Sequence, residues 1–366
     1  MDQRTTNARQ RRPMKVYMVH HHQPGDVGDF RNYHWENEIN DIKSVNPDVI
    51  LCHCMSEFDY VTIYGNFFEN IQEYLIQNNK KVKLLVPNFP NNVEVFPNII
   101  TESTYGFYIN NLSFANTLKE QFDGSKVVAD RLFTCYNNNA KYERALMIEE
   151  LAKRHLLQHG IVTLQHPEQI NFDVDFKWTY HDGSKLVDEP DFILNSCKAY
   201  EASNIPNNFM RGFIDIVTES HTGVNEFFMT EKTTKSIGCL KPFLAVCSPN
   251  YHKFLVDEFG FELYDEIFDY SFDSVYDPKM RVKLIVDNID RLVQQGYDNS
   301  KFTEIHNLLL PKMLRNRERF IEYSLNKDKM ITESFRFLLD GTKYELFGAT
   351  SGFNQPLYLY EKNSWI

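Results

Sequence analysis

No apolar run in the 366-residue chain approaches the roughly 20 residues that a helix needs to cross a bilayer, so no membrane span is expected. Glycine (15) and proline (14) are sparse, which excludes a collagen-like or low-complexity chain. The six cysteines, Cys52, Cys54, Cys135, Cys197, Cys239 and Cys247, form no CxxC pair and no regular spacing, and they are expected as reduced thiols in a cytoplasmic protein. Neither GxGxxG nor GxxxxGKS occurs, which removes the common dinucleotide-binding and P-loop readings. Positive charge is in deficit: 39 Lys and Arg against 50 Asp and Glu leave a net charge of −11. That balance argues against nucleic-acid binding by bulk charge, although it leaves room for a local basic groove. The opening stretch "MDQRTTNARQRRP" is basic but has no apolar core, so it reads as a flexible arm over 1–13 and not as a secretory signal.

What is present is aromatic and alternating. Hydrophobic residues make up 42% of the chain, with 29 Phe and 20 Tyr, and the length favours two domains over one. Short apolar runs in "MKVYMVHHHQP", "PDVILCHC" and "KKVKLLVPNFP" are separated by the helix-like "HWENEINDIKSV" and "NFFENIQEYLIQNN". Strands alternating with helices predict an α/β layer with a parallel sheet. Such sheets bind ligands beyond the carboxyl ends of their strands, here the loops over 20–29, 53–60 and 88–92. The pattern restarts near residue 127 with a strand, an Asn-rich loop and a helix whose Ala145, Ile148 and Ala152 recur at helical spacing, with Gly160 expected at its end. The strand "RGFIDIVTES" then delivers Glu219, "TEKTTKSIGC" reads as a helix, "KPFLAVCSP" as a strand, and "RVKLIVDNIDRLVQQG" as an amphipathic helix. The expected organisation is an arm (1–13), two Rossmann-like domains (14–125 and 126–300) facing across a cleft, and C-terminal helices and tail (301–366).

The chemistry concentrates in the second domain. Thr230 is a good N-cap, so Glu231 and Lys232 fall in the first helical turn. There the free N–H groups and the helix dipole favour an anion, and Lys232 adds a full charge. Glu231 cannot bind phosphate but can accept hydrogen bonds from a ribose diol, and Arg144 can grip a diphosphate with two hydrogen bonds. Taken alone, a Glu-Lys pair more often decorates a solvated first turn. With Glu219 and Arg144 nearby in the pattern, the set suits a nucleoside diphosphate without any Gly-rich loop. Lys235, one turn on, reads as a solvated helix face.

The segments "VTES", "FFMTEKTTKSIGCLKPFLAV" and "FLVDEFGFELYDEIFDYSFDSVYDPKMRVKLIVDNI", with "FTCYNNNAKYERALMIEEL" upstream, resemble the nucleotide-sugar-binding half of the α-1,3-fucosyltransferase-like glycosyltransferases and related viral and bacterial glycosyltransferases. The resemblance covers roughly 130–295. It implies the GT-B fold and a metal-independent glycosyltransferase, with no cofactor beyond the co-substrate, a UDP or GDP sugar. It also implies that Arg144 and Lys232 hold the diphosphate, that Glu231 holds the ribose, that Asn138 represents the Asn-rich loop beside the donor, and that Glu219 lies near the sugar. A viral relative would act in the host cytoplasm. Hexosyl, pentosyl and fucosyl transfer, the stereochemical outcome and the oligomeric state stay open.

Displacement at the anomeric carbon needs a general base, expected from the first domain. Glu57 after the second strand is the first candidate, with Asp26 and His22 behind it. The adjacent histidines of "HHH" at 20–22 diverge with no partner carboxylate placed by spacing, and "DVD" at 173–175 lies in an irregular segment and not at a strand end, so no metal is expected. Two acceptors are in play: a glycan, or a hydroxymethylated base of viral DNA, for which the arm and the "RNRERF" run at 315–320 could supply cations. A catalytically inactive nucleotide-sugar-binding protein is the alternative class.

Overall fold

The computed structural model describes residues 12–19, 35–53, 60–86, 93–103, 119, 124, 127–137, 141–163, 207–219, 227, 229–325 and 343–348. The chain divides into two compact units, Met1–Gly106 with Met330–Ile366, and Phe107–Lys329. Each is an α/β assembly, as the alternation of apolar runs predicts.

The first unit contains β1 (Met14–Val19), α1 (Glu36–Val45), β2 (Val49–His53), α2 (Tyr60–Gln77), β3 (Val82–Val86), β4 (Val93–Phe96) and β5 (Ile99–Ser103). With β10 (Tyr344–Gly348), its six strands run β10-β1-β2-β3-β5-β4, all parallel except for the β4/β5 pair. Continuous burial of Val16 to Val19 and of Ile50 to Cys52 is what a parallel strand covered on both faces requires. Helix α2 turns Phe67, Phe68, Ile71 and Leu75 to the core at helical spacing, and Trp35 packs on Phe67 with ring centroids 5.2 Å apart. Helix α1 ends where Asn46 takes the left-handed conformation and its N–H closes on the Ile42 carbonyl.

The strand β10 (Tyr344–Gly348) corrects the expectation that 301–366 holds only helices and tail, because it pairs in parallel with β1 from Met14↔Tyr344 to Met18↔Gly348. Pairing over some 330 residues leaves no local trace, and β10 is only partly buried, so its sequence shows no strong alternation. Gly348 has φ 89°, and a Cβ there would lie 2.2 Å from the Met18 carbonyl oxygen, so only glycine lets β10 approach β1 so closely. The unit boundary at 106/107 also lies earlier than the expected 125/126, and 301–329 belongs with the second unit.

The second unit comprises β6 (Arg131–Cys135), α3 (Tyr142–Lys153), β7 (Gly160–Val162), α4 (Asn207–Arg211), β8 (Gly212–Thr218), α5 (Glu231–Gly238), β9 (Phe243–Val246), α6 (Tyr251–Phe259), α7 (Pro278–Gln294) and α8 (Asn299–Leu325), with 3-10 turns at Leu157–His159 and Ser271–Ser274. Its sheet is wholly parallel in the order β7-β6-β8-β9. Helix α7 buries Val282, Ile285, Val286, Ile289 and Leu292 as its periodicity predicts, each contributing about 1.5–3 kcal/mol of transfer free energy. Gly160 does not end the long helix α3 but caps the 3-10 turn Leu157–His159. The chain leaves α3 at Lys153, reverses through His155 at φ 57°, and Gly160 opens β7 against the Phe133 ring, which a Cβ would strike at 2.3 Å.

The aromatic segment between α6 and α7 has only one turn of regular structure, and helix side chains read its backbone. Asn316 of α8 accepts from the Glu262 N–H and donates to the Glu262 carbonyl, both at 2.8 Å, while Asn288 of α7 does the same for Asp269 at 2.7 and 3.0 Å. Replacing Asn316 with alanine strands two backbone groups and is expected to cost about 2–6 kcal/mol, at about 1–3 kcal/mol per unsatisfied group. A lowered urea midpoint with an unchanged m-value checks it.

Candidate functional site at the carboxyl edge of the second sheet

The chain runs from β6 outward to β7 and then returns to the other side of β6 for β8, so the strand order reverses between β6 and β8. In open α/β sheets the crevice beyond the carboxyl ends at such a reversal is where ligands bind. The residues there are polar and wired together. The Thr218 hydroxyl donates to Asn137 Oδ1 at 2.7 Å, the Asn137 N–H donates to the Thr163 hydroxyl at 2.9 Å, and the Glu219 N–H donates to the Val246 carbonyl at 3.0 Å.

Helix α3 brings Arg144 to this edge. The guanidinium is buried, and Nη2 donates to the Thr218 carbonyl at 3.4 Å, at the end of β8. The N-cap of α3 is Lys141, in an extended conformation and without a capping side-chain hydrogen bond of its own.

Helix α5 starts as the sequence predicts. Thr230 is its N-cap and accepts from the Lys232 N–H at 3.2 Å, and Lys232 Nζ folds back onto the same hydroxyl at 3.1 Å. That hydroxyl donates to Glu219 Oε2 at 2.6 Å, which uses its one proton. Glu219 Oε1 accepts from the Thr230 N–H at 3.1 Å, the Thr233 hydroxyl at 2.6 Å and the buried Tyr251 hydroxyl at 3.4 Å. Glu219 therefore stands at the strand end where it was expected, but its oxygens are engaged by the protein. It seats α5 and α6 on β8, a role in the fold that the expectation of a sugar nearby did not include.

Glu231 is the first residue of α5, and its side chain lies outside the described residues, as do Asn138, Glu57, Asp26 and His22 and the "HHH" and "DVD" stretches. The structure thus brings Arg144, Glu219, Thr230 and Lys232 to one edge. Lys235, expected on a solvated face, is partly covered and lies 5.9 Å from the Phe209 ring centroid.

Beneath the edge lies a buried polar cluster that periodicity could not reveal. Lys241 Nζ donates to the Thr134 hydroxyl at 3.0 Å and to the Phe209 carbonyl, and sits 3.9 Å from the Phe209 ring centroid. Thr134 in turn donates to Asp215 at 2.7 Å, and Ser236 of α5 holds the other carboxylate oxygen. Burial pushes the Lys241 ammonium down to about 8, with Asp215 working in the opposite direction. On the β9 side, the Asp273 carboxylate accepts the His252 and Lys253 N–H groups, both at 2.9 Å, and so occupies the start of α6. The backbone N–H of Ala245 donates to His252 Nε2 at 3.2 Å, which assigns the proton to Nδ1 and directs it to Asp273 at 2.9 Å. Asp273 is held below the usual carboxylate range: burial opposes this, and the His252 and Lys253 hydrogen bonds prevail.

Helices α3 and α7 lie side by side and parallel. Arg154 just past α3 pairs with Asp287 and, at 3.8 Å, Asp290, while Glu143 near the start of α3 attracts Arg281 near the start of α7. Both helix starts thus stand at the carboxyl edge, where Tyr142, Tyr276 and Met280 leave 54%, 60% and 47% of their surface exposed. Burial raises the Cys135 thiol to about 12 and Cys247 well above its ordinary value, so neither supplies a thiolate nucleophile.

The "RNRERF" run is engaged inside the fold. Arg315 binds Glu262 through two nitrogens at 2.7 and 2.6 Å, Arg319 reaches Glu262 and the Gly260 carbonyl, and the buried Arg317 donates to the Gly238 carbonyl. Within the described residues no helix is long and apolar enough to cross a membrane. No protein-family model, curated protein or solved structure matches the chain.

Proposed function

We propose that the chain is a glycosyltransferase of GT-B type that moves a sugar from a nucleoside diphosphate sugar, with UDP or GDP as carrier, to an acceptor hydroxyl. One observation carries the reading: at the strand-order reversal, the starts of α3 and α5 present Arg144 and Lys232, with α5 locked in place by Glu219. Two helix dipoles and two cations at one strand edge match a diphosphate, whose negative charge grows as the sugar–oxygen bond breaks. The exposed Tyr142 and Tyr276 rings at neighbouring helix starts offer flat apolar faces of the kind on which a base stacks.

In this reading the donor binds the second unit. The acceptor oxygen attacks the anomeric carbon, the bond to the diphosphate oxygen breaks, and the acceptor proton passes to Glu57, Asp26 or His22. Lys232, Arg144 and the helix starts take up the charge left on the diphosphate. Internal engagement of Arg315, Arg317 and Arg319 favours a glycan over a DNA base as acceptor.

The test is thermal unfolding of the full chain with UDP, GDP and their sugar conjugates. A ligand at a hundred times its Kd stabilises the native state by about 2.7 kcal/mol, an upward shift of several degrees. No shift with any of them sinks the proposal, and sugar release or transfer from the stabilising donor, followed by mass spectrometry, tests the chemistry.

A further inference from the structure

Two polar groups near this edge are buried with no hydrogen-bond partner among the described residues. Ser248, in the turn directly after β9, is 3% exposed, and its Oγ meets no donor or acceptor. Arg281 is 2% exposed, its Nε is likewise without a partner, and no carboxylate among the described residues lies within ion-pair distance of it. Its Nη1 donates to the Val275 carbonyl at 2.6 Å. Val275 precedes the N-cap Asp277, so the guanidinium is turned back toward the start of its own helix and thus toward the strand ends. Helix α7 packs against β9, the strand that leads into Ser248, and the Cys247 thiol next in sequence to Ser248 feels Arg281.

Of the carboxylates around Arg281, Asp273 is committed to the start of α6 and Asp277 to the Met280 N–H at 2.7 Å, while Glu143 attracts the guanidinium from the start of α3. A guanidinium shut away from water without an ion pair, on a helix that packs against the strand leading to an unused hydroxyl donor, is stabilised when an oxyanion with several acceptor oxygens arrives. Asp273 shows that the β9 side already stabilises one negative group of the protein's own.

We infer that Ser248 and Arg281 form a second phosphate-binding pair, on the β9 side of Glu219, that hydrogen-bonds a phosphoryl group of the bound ligand alongside Lys232 and Arg144. That the phosphoryl group belongs to a nucleotide sugar rests on the function proposed above; the pair itself is specified for a phosphate oxyanion.

Titration calorimetry on the full chain with pyrophosphate, UDP and GDP tests this, using Ser248→Ala and Arg281→Lys. Ser248→Ala removes a hydroxyl that bonds nothing in the fold, so its Tm is expected unchanged or slightly raised while phosphate-ligand affinity falls about tenfold. Arg281→Lys keeps the charge but loses the fork, and the same ligands are expected to weaken by a similar factor. A lowered Tm with unchanged affinity in Ser248→Ala means a structural hydroxyl and overturns the pair. If pyrophosphate binds, Ser248→Ala weakens it and neither nucleotide binds better, the pair stands and the nucleotide-sugar reading falls. If UDP or GDP binds the wild type and both variants equally well, the reading stands and the pair falls. No binding of any of the three by the wild type removes both.

Discussion

Lys232→Ala is expected to weaken UDP or GDP binding by about ten- to a hundredfold and to abolish transfer, while leaving the helix and the far-UV circular dichroism intact. The cap survives because Thr230 accepts from the backbone N–H of residue 232, which the substitution keeps, and Glu219 still seats Thr230 and Thr233. Only the ammonium is lost, and a hydrogen bond to a charged group is worth about 1.5–3 kcal/mol, one to two powers of ten in affinity. The loss should be steeper in turnover than in ground-state binding, since charge on the leaving diphosphate grows toward the transition state. Calorimetry alongside turnover on the same preparation measures both, and unchanged affinity would remove Lys232 from the site. Glu219→Gln gives the contrasting outcome: its carboxylate gathers three hydroxyls and an N–H, so the main effect should be a fall in Tm.

The second large effect concerns stability. Lys241→Met is expected to cost about 3–5 kcal/mol, because it leaves the Asp215 carboxylate in the interior without a cation. The wild-type link is indirect, ammonium to Thr134 hydroxyl to Asp215, and the Phe209 ring at 3.9 Å from Nζ adds a cation–π contact that methionine lacks. The double variant Lys241→Met with Asp215→Asn should recover much of the loss, which a double-mutant cycle in urea reads directly. Additive losses would dissolve the network.

The same lysine gives a pH signature of known sign. Its folded value, near 8, lies below the ordinary 10.5, so below pH 8 both states hold the proton and the cost of burying the charge is fully present. Between about pH 8 and 10.5 the unfolded chain binds more protons than the folded one, so the Lys241 contribution to stability rises with pH. That rise should be absent in Lys241→Met.

The parts of the fold that declare themselves locally were legible in the sequence. Helix α7 was readable because its apolar residues repeat at 3.6, and α5 because Thr230 precedes a helix-compatible run. Strands β1, β2, β6, β8 and β9 were readable as buried apolar runs ending in polar residues. What failed was non-local. Strand β10 has too few apolar residues to announce itself, and its partner lies at the other end of the chain. Gly160 looked like a helix terminator but serves close packing on Phe133, and a sequence cannot distinguish the two uses of a missing side chain.

At the site, the cap and its lysine were legible from spacing, and Arg144 from its place after the Asn-rich loop. The role of Glu219 was not. A carboxylate at a strand end looks the same whether it faces a ligand or three protein hydroxyls, and those hydroxyls become its neighbours only through the fold. Lys241, Asp215, Ser248 and Arg281 were passed over for the same reason, since nothing in "CLKPF" or "PKMRV" tells a buried charge from a solvated one. The "RNRERF" run misled in the other direction, as a basic cluster that turned out to clamp Glu262 and neighbouring carbonyls.

Strand β10 fixes an order of events during synthesis. The first unit lacks the neighbour on one side of β1 until residues 344–348 leave the ribosome, whereas 107–329 is complete earlier. At roughly 5–20 residues per second, well over ten seconds separate the making of β1 from the making of its partner. Through that interval the open side of β1 is a template for any extended chain. The late-made β10 is then a seal on the early-made β1, and a chain stopped short of Tyr344 is expected to emerge with its second unit folded and its first prone to pair with copies of itself.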